Sequence, residues 1–325
     1  MGCSWMWWTE RVKFWAGLVI LCGMCGAWGF PVHRHINRSA TEALPEPLRG
    51  WLMCEVEWLS AHATDADKRK HTVEREAPRH YLDGDAPALA CLDSLGDAPW
   101  FGRAAEACGE DTLWEYGVLP WQIGWSYAQL VQAFDSLDRP AVLRHATDLG
   151  HYVADAHVPL HTTLNYNGQL TGQDGIHSVW ETRLPALYGG GYDLVVSDVQ
   201  YIHNVHEWAW QALAHSHTLV PAVLEEERRA SLEHGEGLVR EERGGVVQLQ
   251  QDQQWCAAYH EGMNGMVESQ WRAAIQGVSS LWFSAWIDAG QPDLTEVFEP
   301  TRAPWWKRGL QRLRFGKQIQ RPPVP

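Results

Sequence analysis

Helical periodicity dominates this sequence and constrains its fold more than any other feature. Apolar residues recur at the spacing of amphipathic helices, whereas the alternation typical of strands is scarce. Proline and glycine residues mark the points where the helical patterns start or stop. The patterns predict helices at residues 33–44, 47–60, 112–137, 140–156, 177–187, 207–224 and 252–289, the last of them broken near 262–265 or at Gly277.

The segments between these helices carry no comparable pattern. Residues 61–110 and 162–175 are predicted to be irregular, because glycine, proline and aspartate cluster there. The sequence shows no internal repeat, and no linker between domains precedes Asp293. The hydrophobic content of 45% is sufficient for a sizeable core. We therefore predict an all-α fold, with a single helical domain at residues 28–299.

Residues 1–27 have the features of a secretory signal peptide. Arg11 and Lys13 supply its positive charge, an apolar run covers residues 14–24, and small residues precede the predicted cleavage site after Ala27. The alternative is a membrane anchor, but the apolar run is short for a span of the bilayer. Cleavage would make Trp28 the first residue of an exported protein, either periplasmic or extracellular.

The charge of the chain is strongly uneven. Residues 28–300 contain 39 acidic and 17 basic residues, whereas residues 301–325 contain seven basic residues and no acidic one. The acidic part would repel polyanions, which argues against non-specific binding of duplex nucleic acid. For the basic tail at residues 300–325 two interpretations stay open: an amphipathic helix at 305–315 in weak contact with an anionic membrane surface, or a solvated tail.

Four cysteines remain after removal of the predicted signal peptide: Cys54, Cys91, Cys108 and Cys256. None forms a CxxC pair, so a thiolate metal site is not expected. In an exported protein they could form two disulfides, with three possible pairings. The alternative is four buried thiols.

Histidine and carboxylate residues recur at spacings that suit metal binding. His151 and Asp155 are four residues apart on a predicted helix, so that both side chains lie on one face. Pro159 ends this helix before His161, and a second pair with the same spacing follows at His177 and Glu181. Asp65 and His80 stand upstream, in the irregular segment. Nitrogen and oxygen ligands without sulfur are typical of catalytic zinc sites.

Three other classes of hydrolase lack support in the sequence. His260-Glu261 is not followed by the second histidine of a zinc-protease HExxH motif. A GxSxG nucleophile elbow and a phosphate-binding P-loop are also absent from the sequence.

The order of these motifs resembles that of the zinc-dependent phospholipase C / S1–P1 nuclease superfamily. The resembling features are a mature N-terminal Trp28 with His33 five residues later, "HYLD" at His80, "PLH" at His161 and "HSVWE" from His177. The resemblance extends from residue 28 to about residue 293. It implies an all-helical fold that binds three zinc ions in a cleft.

The resemblance also implies a set of ligands for each of the three ions. One zinc ion would be held by Asp65, His80, His151 and Asp155. A second would be held by the amine and carbonyl groups of Trp28, by His33 and by the shared Asp155. The third would be held by His161, His177 and Glu181. Asp65 and Asp67 compete for one position, and the spacing to His80 in the nuclease branch favours Asp65.

The implied reaction is attack on phosphorus by a hydroxide that bridges two zinc ions. Asp83, three residues after His80, is a candidate to orient the attacking water or a ligating histidine, and the alternative is an ordinary loop carboxylate. Lys68 or Arg69 is a candidate to neutralise charge on the phosphate.

The predicted function is therefore that of an exported trinuclear-zinc phosphodiesterase. Its substrate could be a phospholipid headgroup, a single-stranded nucleic acid or a small phosphate ester, and the sequence gives no sign of an obligate protein partner. A different class of function stays open beside it, that of a zinc-binding scaffold protein without catalytic activity.

Overall fold

A computed structural model of the chain describes residues 29–235, 237–243 and 246–298. This part is mostly helical, as predicted. The helices are α1 Phe30–Ala43, α2 Leu48–Met53, α3 Val56–Ala61, α4 Asp65–Arg69, α5 Phe101–Cys108, α6 Glu110–Tyr116, α7 Leu119–Asp135, α8 Arg139–Asp155, α9 Ile176–Ser178, α10 Leu184–Tyr188, α11 Val205–Thr218, α12 Val220–His234, α13 Gln253–Gly262, α14 Met266–Asp288 and α15 Thr295–Phe298. Short 3-10 helices cover Ala77–His80, Pro87–Ser94, Pro159–Thr162 and Gly189–Gly191, and a π-helical turn covers Val179–Arg183.

Helices α7, α8 and α14 pack against one another at the centre of the molecule, and α1 packs on α8 and α14. The start of α8 is fixed by Asp138, whose side chain accepts a hydrogen bond from the amide of Ala141 (3.2 Å). Trp282 of α14 is fully buried, and its indole nitrogen donates to the carbonyl oxygen of Ala146 in α8 (3.0 Å). This hydrogen bond therefore joins α14 to α8 within the apolar core.

Gly150 lets α1 approach α8 closely. A β-carbon at this position would lie 2.3 Å from Oδ1 of Asn37 in α1, which is much closer than van der Waals contact. The amide group of Asn37 also donates to the carbonyl oxygen of Leu59 in α3 (3.2 Å). This close crossing places His33 of α1 beside His151 of α8.

Two predicted helices are each divided in two. The segment predicted at 112–137 forms α6 and α7, with a break at Gly117, where φ is +102° and a β-carbon would lie 2.1 Å from the carbonyl oxygen of Tyr81. A positive φ and a close backbone neighbour both select glycine and stop the helix. The segment predicted at 47–60 divides into α2 and α3 near Cys54.

The C-terminal helical region also contains breaks. The segment predicted at 207–224 divides at Leu219 into α11 and α12, the latter with Pro221 in its first turn. The predicted break near 262–265 is confirmed at Asn264 and Gly265, both with positive φ, whereas Gly277 lies inside α14.

An antiparallel β-hairpin lies between α12 and α13. Strands β1 Leu238–Arg243 and β2 Val246–Gln251 pair from Leu238↔Gln251 to Arg243↔Val246. The sequence analysis did not predict this hairpin, although a Gly-Gly pair between two short runs is a hairpin signal.

Cys91 and Cys108 form a disulfide that joins the 3-10 helix Pro87–Ser94 to α5. Cys54 is exposed, and the sulfur of the buried Cys256 lies 3.7 Å from the carbonyl oxygen of Gln251. The predicted pair of disulfides is thus represented by one bridge among the described residues.

The predicted signal peptide (1–27), the predicted ligand Trp28 and the basic tail (300–325) lie outside the described residues. Within residues 29–235, 237–243 and 246–298, no helix combines the length and the apolar character needed to cross a bilayer.

Candidate metal centre

Three groups of buried histidine and carboxylate side chains lie where α1, α4, α8 and the segment 159–181 converge. Within each group the candidate ligand atoms lie within 4.8 Å of one another. The groups are His33, His151 and Asp155; Asp67, His80 and His151; and His161, His177 and Glu181. The first two groups share His151, so they form one continuous site.

Helix α8 contributes the central pair, as its sequence predicts. The carboxylate of Asp155 lies 3.3 Å from Nε2 of His151, 2.8 Å from Nδ1 of His80 and 3.5 Å from Nε2 of His33. The ring of His33 stacks on that of His151, with 4.1 Å between their centroids. Three helices or helical turns thus deliver imidazole groups to one carboxylate.

Backbone carbonyl groups determine which ring nitrogen of two histidines is available to a metal. Nδ1 of His151 lies 2.8 Å from the carbonyl oxygen of Ala63, and Nδ1 of His161 makes a short contact with the carbonyl oxygen of His80. A carbonyl oxygen only accepts hydrogen bonds, so Nδ1 of each ring carries a proton, and Nε2 is the nitrogen through which the neutral ring could bind a metal. In both residues Nε2 is the nitrogen that faces the site.

Asp67, and not Asp65, joins the histidines, which corrects the sequence-based choice between them. Asp67 is buried, and its Oδ1 lies 3.6 Å from Nε2 of His151 and 3.9 Å from Nδ1 of His80. Asp65 instead pairs with Lys68 at 2.7 Å on the protein surface. The two aspartates are two residues apart on α4, so their side chains point in nearly opposite directions.

The structure places the two candidate phosphate-binding residues, Lys68 and Arg69, in ion pairs with residues outside the three groups. Lys68 lies on the outer face of α4 with Asp65, and Arg69 pairs with Asp148 (3.0 Å) and Glu76 (3.1 Å). Lys70 is the cation next to the site, because its Nζ lies 2.8 Å from Oδ1 of Asp67. The signal for Lys70 is its i,i+3 spacing from Asp67, which is visible only once Asp67 is taken as the ligand.

The third group forms around a π-helical turn. Nε2 of His177 lies 3.1 Å from Oε2 of Glu181, and Nε2 of His161 lies 3.9 Å from the same oxygen. The turn Val179–Arg183 separates α9 from α10, and π-turns of this kind often occur at functional sites. The amide of the buried Gly29 donates to the carbonyl oxygen of Glu181 (3.2 Å), so the first described residue lies beside this group.

Many of these buried atoms have no hydrogen-bond partner, which fits a metal centre. Among the described residues, the atoms concerned are both ring nitrogens of His33, Nδ1 of His177, Nε2 of His161, Oδ2 of Asp67 and Oδ1 of Asp155. Leaving buried polar atoms without partners costs about 1–3 kcal/mol each, more for charged groups. Since they converge in three groups of histidine nitrogens and carboxylate oxygens, the residues fit bound metal ions.

The electrostatics of the site keep His33, His161 and Asp155 in the forms that bind metal, whereas His151 is protonated. Burial, together with the neighbouring His151, lowers the pKa of His33 to about 3, and burial lowers the pKa of His161 to about 3. Both rings are therefore neutral at pH 7. Although burial opposes it, the positive charge on His151 holds the pKa of Asp155 well below its usual value. The same pairing with Asp155 and Asp67 outweighs burial and raises the pKa of His151 to about 10, so metal binding would displace a proton from this ring.

A cavity of about 250 Å³ opens beside the metal-ligand candidates. It is lined by the metal-ligand candidates His80, His161 and His177, and also by Lys70, Ala77, Tyr81, Asp83, Leu160 and Tyr166. Burial and the neighbouring Asp85 raise the pKa of Asp83 to about 7. The cavity thus brings a cation, two phenol groups and a carboxyl group that titrates near neutrality to the edge of the metal centre.

A larger depression of about 570 Å³ lies between α12 and α13, and its lining includes no residue of the three groups. Its Glu226 and Glu233 are already paired with Arg229. Two histidines of α11 do not belong to the three groups: His206 contacts the carbonyl oxygen of Ala98, and His217 contacts that of Thr162.

Comparison of the sequence with protein-family models gives no match, and neither does comparison with curated proteins.

Proposed function

We propose that this protein is a zinc-dependent hydrolase of phosphate esters, related to the phospholipase C / S1–P1 nuclease superfamily in fold and site. The observation that carries the proposal is the convergence of three groups of buried histidine and carboxylate side chains, in which several ligand atoms have no hydrogen-bond partner among the described residues. The three groups support three metal ions. The donor atoms, all nitrogen and oxygen, support zinc in a catalytic role.

We assign the ligands from these groups together with the resemblance, with His151 given to one ion and Asp155 shared by two. Asp67, His80, His151 and Asp155 would hold one ion, and His161, His177 and Glu181 would hold another. His33 and Asp155 would hold the third ion, together with the amine and carbonyl groups of Trp28. The hydrogen bond from the amide of Gly29 to the carbonyl oxygen of Glu181 supports this assignment, because the described part of the chain begins beside the site.

When bound, the metal ions would supply Lewis acidity, lowering the pKa of a water molecule and taking charge from the phosphate oxygens. The remaining chemistry comes from the chain itself. Lys70 lines the cavity, where its ammonium group can stabilise the negative charge that develops on a phosphodiester in the transition state. Asp83 holds or releases a proton at its carboxyl group near pH 7, as a general acid or base should.

The disulfide Cys91–Cys108 supports export of the protein. Disulfides persist mainly in oxidising compartments. Cleavage after Ala27 would free the amine of Trp28 for metal binding, so processing and activity are linked in this proposal.

The proposal is tested by metal analysis combined with phosphodiesterase assays. Protein beginning at Trp28 is loaded with zinc and assayed on bis-p-nitrophenyl phosphate, phosphatidylcholine vesicles and single-stranded DNA. We expect hydrolysis that is lost in His177→Ala and retained in His215→Ala, a matched control whose histidine is exposed on α11. Full zinc occupancy without turnover of any of these substrates would show a metal-binding scaffold instead.

The role of Trp28 has a separate test. A protein with one additional residue before Trp28 should bind less zinc and hydrolyse bis-p-nitrophenyl phosphate more slowly. Equal zinc content and equal rate in the two proteins would exclude Trp28 as a ligand without affecting the other assignments.

A further inference from the structure

His80 faces the candidate metal centre with a different ring nitrogen from its neighbours. Its Nδ1 lies 2.8 Å from Oδ2 of Asp155 and 3.0 Å from Nε2 of His151. Nε2 of His80 lies on the other side of the ring, is buried and has no hydrogen bond. If Nδ1 donates its lone pair to a cation, the proton of the neutral ring must be on Nε2.

Glu76 is the acceptor that Nε2 of His80 faces. The carboxylate lies four residues before His80, is only 2% exposed, and places Oε1 3.8 Å from Nε2. A rotation of the His80 ring that moves Nε2 closer to Glu76 by about 0.6 Å would bring this pair to hydrogen-bonding distance. Histidine ligands of metals commonly donate their second N–H to a carboxylate in this way.

The position of Glu76 is itself fixed by three residues. Its Oε1 accepts hydrogen bonds from the hydroxyl of Tyr152 (2.6 Å) and from Nη2 of Arg69 (3.1 Å). Arg69 is in turn held by Asp148, with Nη1 at 3.0 Å. These contacts therefore hold the carboxylate of Glu76 in one orientation relative to His80.

We propose that Glu76 is a positioning residue that accepts the Nε2 proton of His80 and so fixes the tautomer in which His80 binds a metal ion through Nδ1. This inference rests on the proposed function, since it takes His80 as a metal ligand. It also separates His80 from His151 and His161, which present Nε2.

The test uses the full mature chain, loaded with zinc and labelled with 15N in its histidines. Long-range 1H–15N spectra of the wild-type protein should show His80 protonated at Nε2 and metal-bound at Nδ1, with the opposite arrangement for His151. Binding of His80 through Nε2 would overturn the proposal without the need for any variant.

Variants supply a second, independent measurement. Glu76→Gln keeps the volume and one acceptor oxygen but removes the charge, and Glu76→Ala removes both. We expect zinc affinity, measured by competition with a chelator, to fall about 10-fold in Glu76→Gln and up to about 100-fold in Glu76→Ala. Glu57→Gln, in which an exposed carboxylate that pairs with Arg38 is neutralised, is the matched control and should keep wild-type affinity.

The outcomes distinguish this inference from the proposed function. A folded Glu76→Gln variant with wild-type zinc affinity and an unchanged His80 spectrum would show that Glu76 is only a structural partner of Arg69 and Tyr152. Failure of the proposed function would appear differently, as a wild-type protein that binds no zinc or hydrolyses no phosphate ester.

Discussion

The carboxylates of Asp65 and Asp67 experience opposite environments although both belong to one short helix. Asp67 is buried among histidines, and Asp65 pairs with Lys68 at the surface. We expect Asp67→Asn to reduce zinc content and to lower kcat/KM more than about 100-fold, because a ligand is lost. Asp65→Asn is the control, since a surface ion pair contributes at most about 1 kcal/mol. Zinc analysis and initial rates decide between them, and equal losses in the two variants would contradict the ligand assignment.

Lys70 allows a second comparison of this kind. Its ammonium group borders the cavity, whereas that of Lys68 does not. We expect Lys70→Met to lower kcat about 100-fold, because a group that stabilises charge in the transition state is lost. Lys68→Met should stay within about twofold of wild type in the same assay. Zinc content is measured in both variants, and an unchanged kcat in fully loaded Lys70→Met would exclude Lys70 from catalysis.

Asp83, which lines the cavity, makes the stability of the protein depend on pH. Its pKa is raised in the folded protein to about 7, so folding favours the protonated form. This contribution to stability is complete below the usual pKa of about 4 and is lost as the pH rises to about 7. In the wild-type protein, Asp83 should lower the unfolding free energy by about 2 kcal/mol between pH 4 and pH 8, after allowance for solvent screening. Asp83→Asn should remove this part of the pH dependence. Urea titrations of metal-free protein measure it. Asp97→Asn, at an exposed site, should retain the wild-type pH dependence.

At the scale of single elements, the break between α6 and α7 connects the fold to the site. Gly117 occupies a backbone conformation that other residues rarely adopt, and it contacts the carbonyl oxygen of Tyr81, which lines the cavity. Gly117→Ala should lower the unfolding free energy by about 3 kcal/mol and also reduce activity, because Tyr81 must move. Gly124→Ala is a matched control inside α7 with open space around it, and it should stabilise the protein by about 0.5–1 kcal/mol. Urea unfolding compares the two, and a neutral Gly117→Ala would contradict the account of this break.

How much of the molecule the sequence predicts depends on the range of the interactions involved. The pairs His151–Asp155 and His177–Glu181 were predicted because helical spacing is local and is fixed by backbone geometry. Identifying Asp67 as the buried aspartate requires the position at which α4 begins. Helix boundaries depend on tertiary contacts, such as that of Gly117 with Tyr81. Lys70 and Glu76 follow from Asp67 and from the course of residues 69–80, so no local pattern reveals them. The same reason explains the breaks within long helical patterns, since apolar periodicity continues across them.

At the scale of the whole molecule, the candidate metal centre places three carboxylate groups in the interior. Asp67, Asp155 and Glu181 are buried, and the helices that carry them converge from distant parts of the chain. Bound cations would offset the mutual repulsion and the desolvation of these groups, and they bind the folded state alone. A ligand present at about 1,000 times its Kd stabilises a protein by about 4 kcal/mol.

We therefore expect removal of metal to destabilise the whole molecule and not only the site. Dialysis against a chelator should lower Tm by about 10 °C for a chain of this size, and added zinc should restore it. Calorimetry of the loaded and stripped protein, with zinc content measured in parallel, provides the comparison. The shift should be smaller in His161→Ala, which keeps two of the three groups intact, and unchanged in His215→Ala. Equal Tm values for loaded and stripped wild-type protein would mean that the three groups do not couple metal binding to folding. Ions whose binding stabilises the native state by several kcal/mol must also raise its melting temperature.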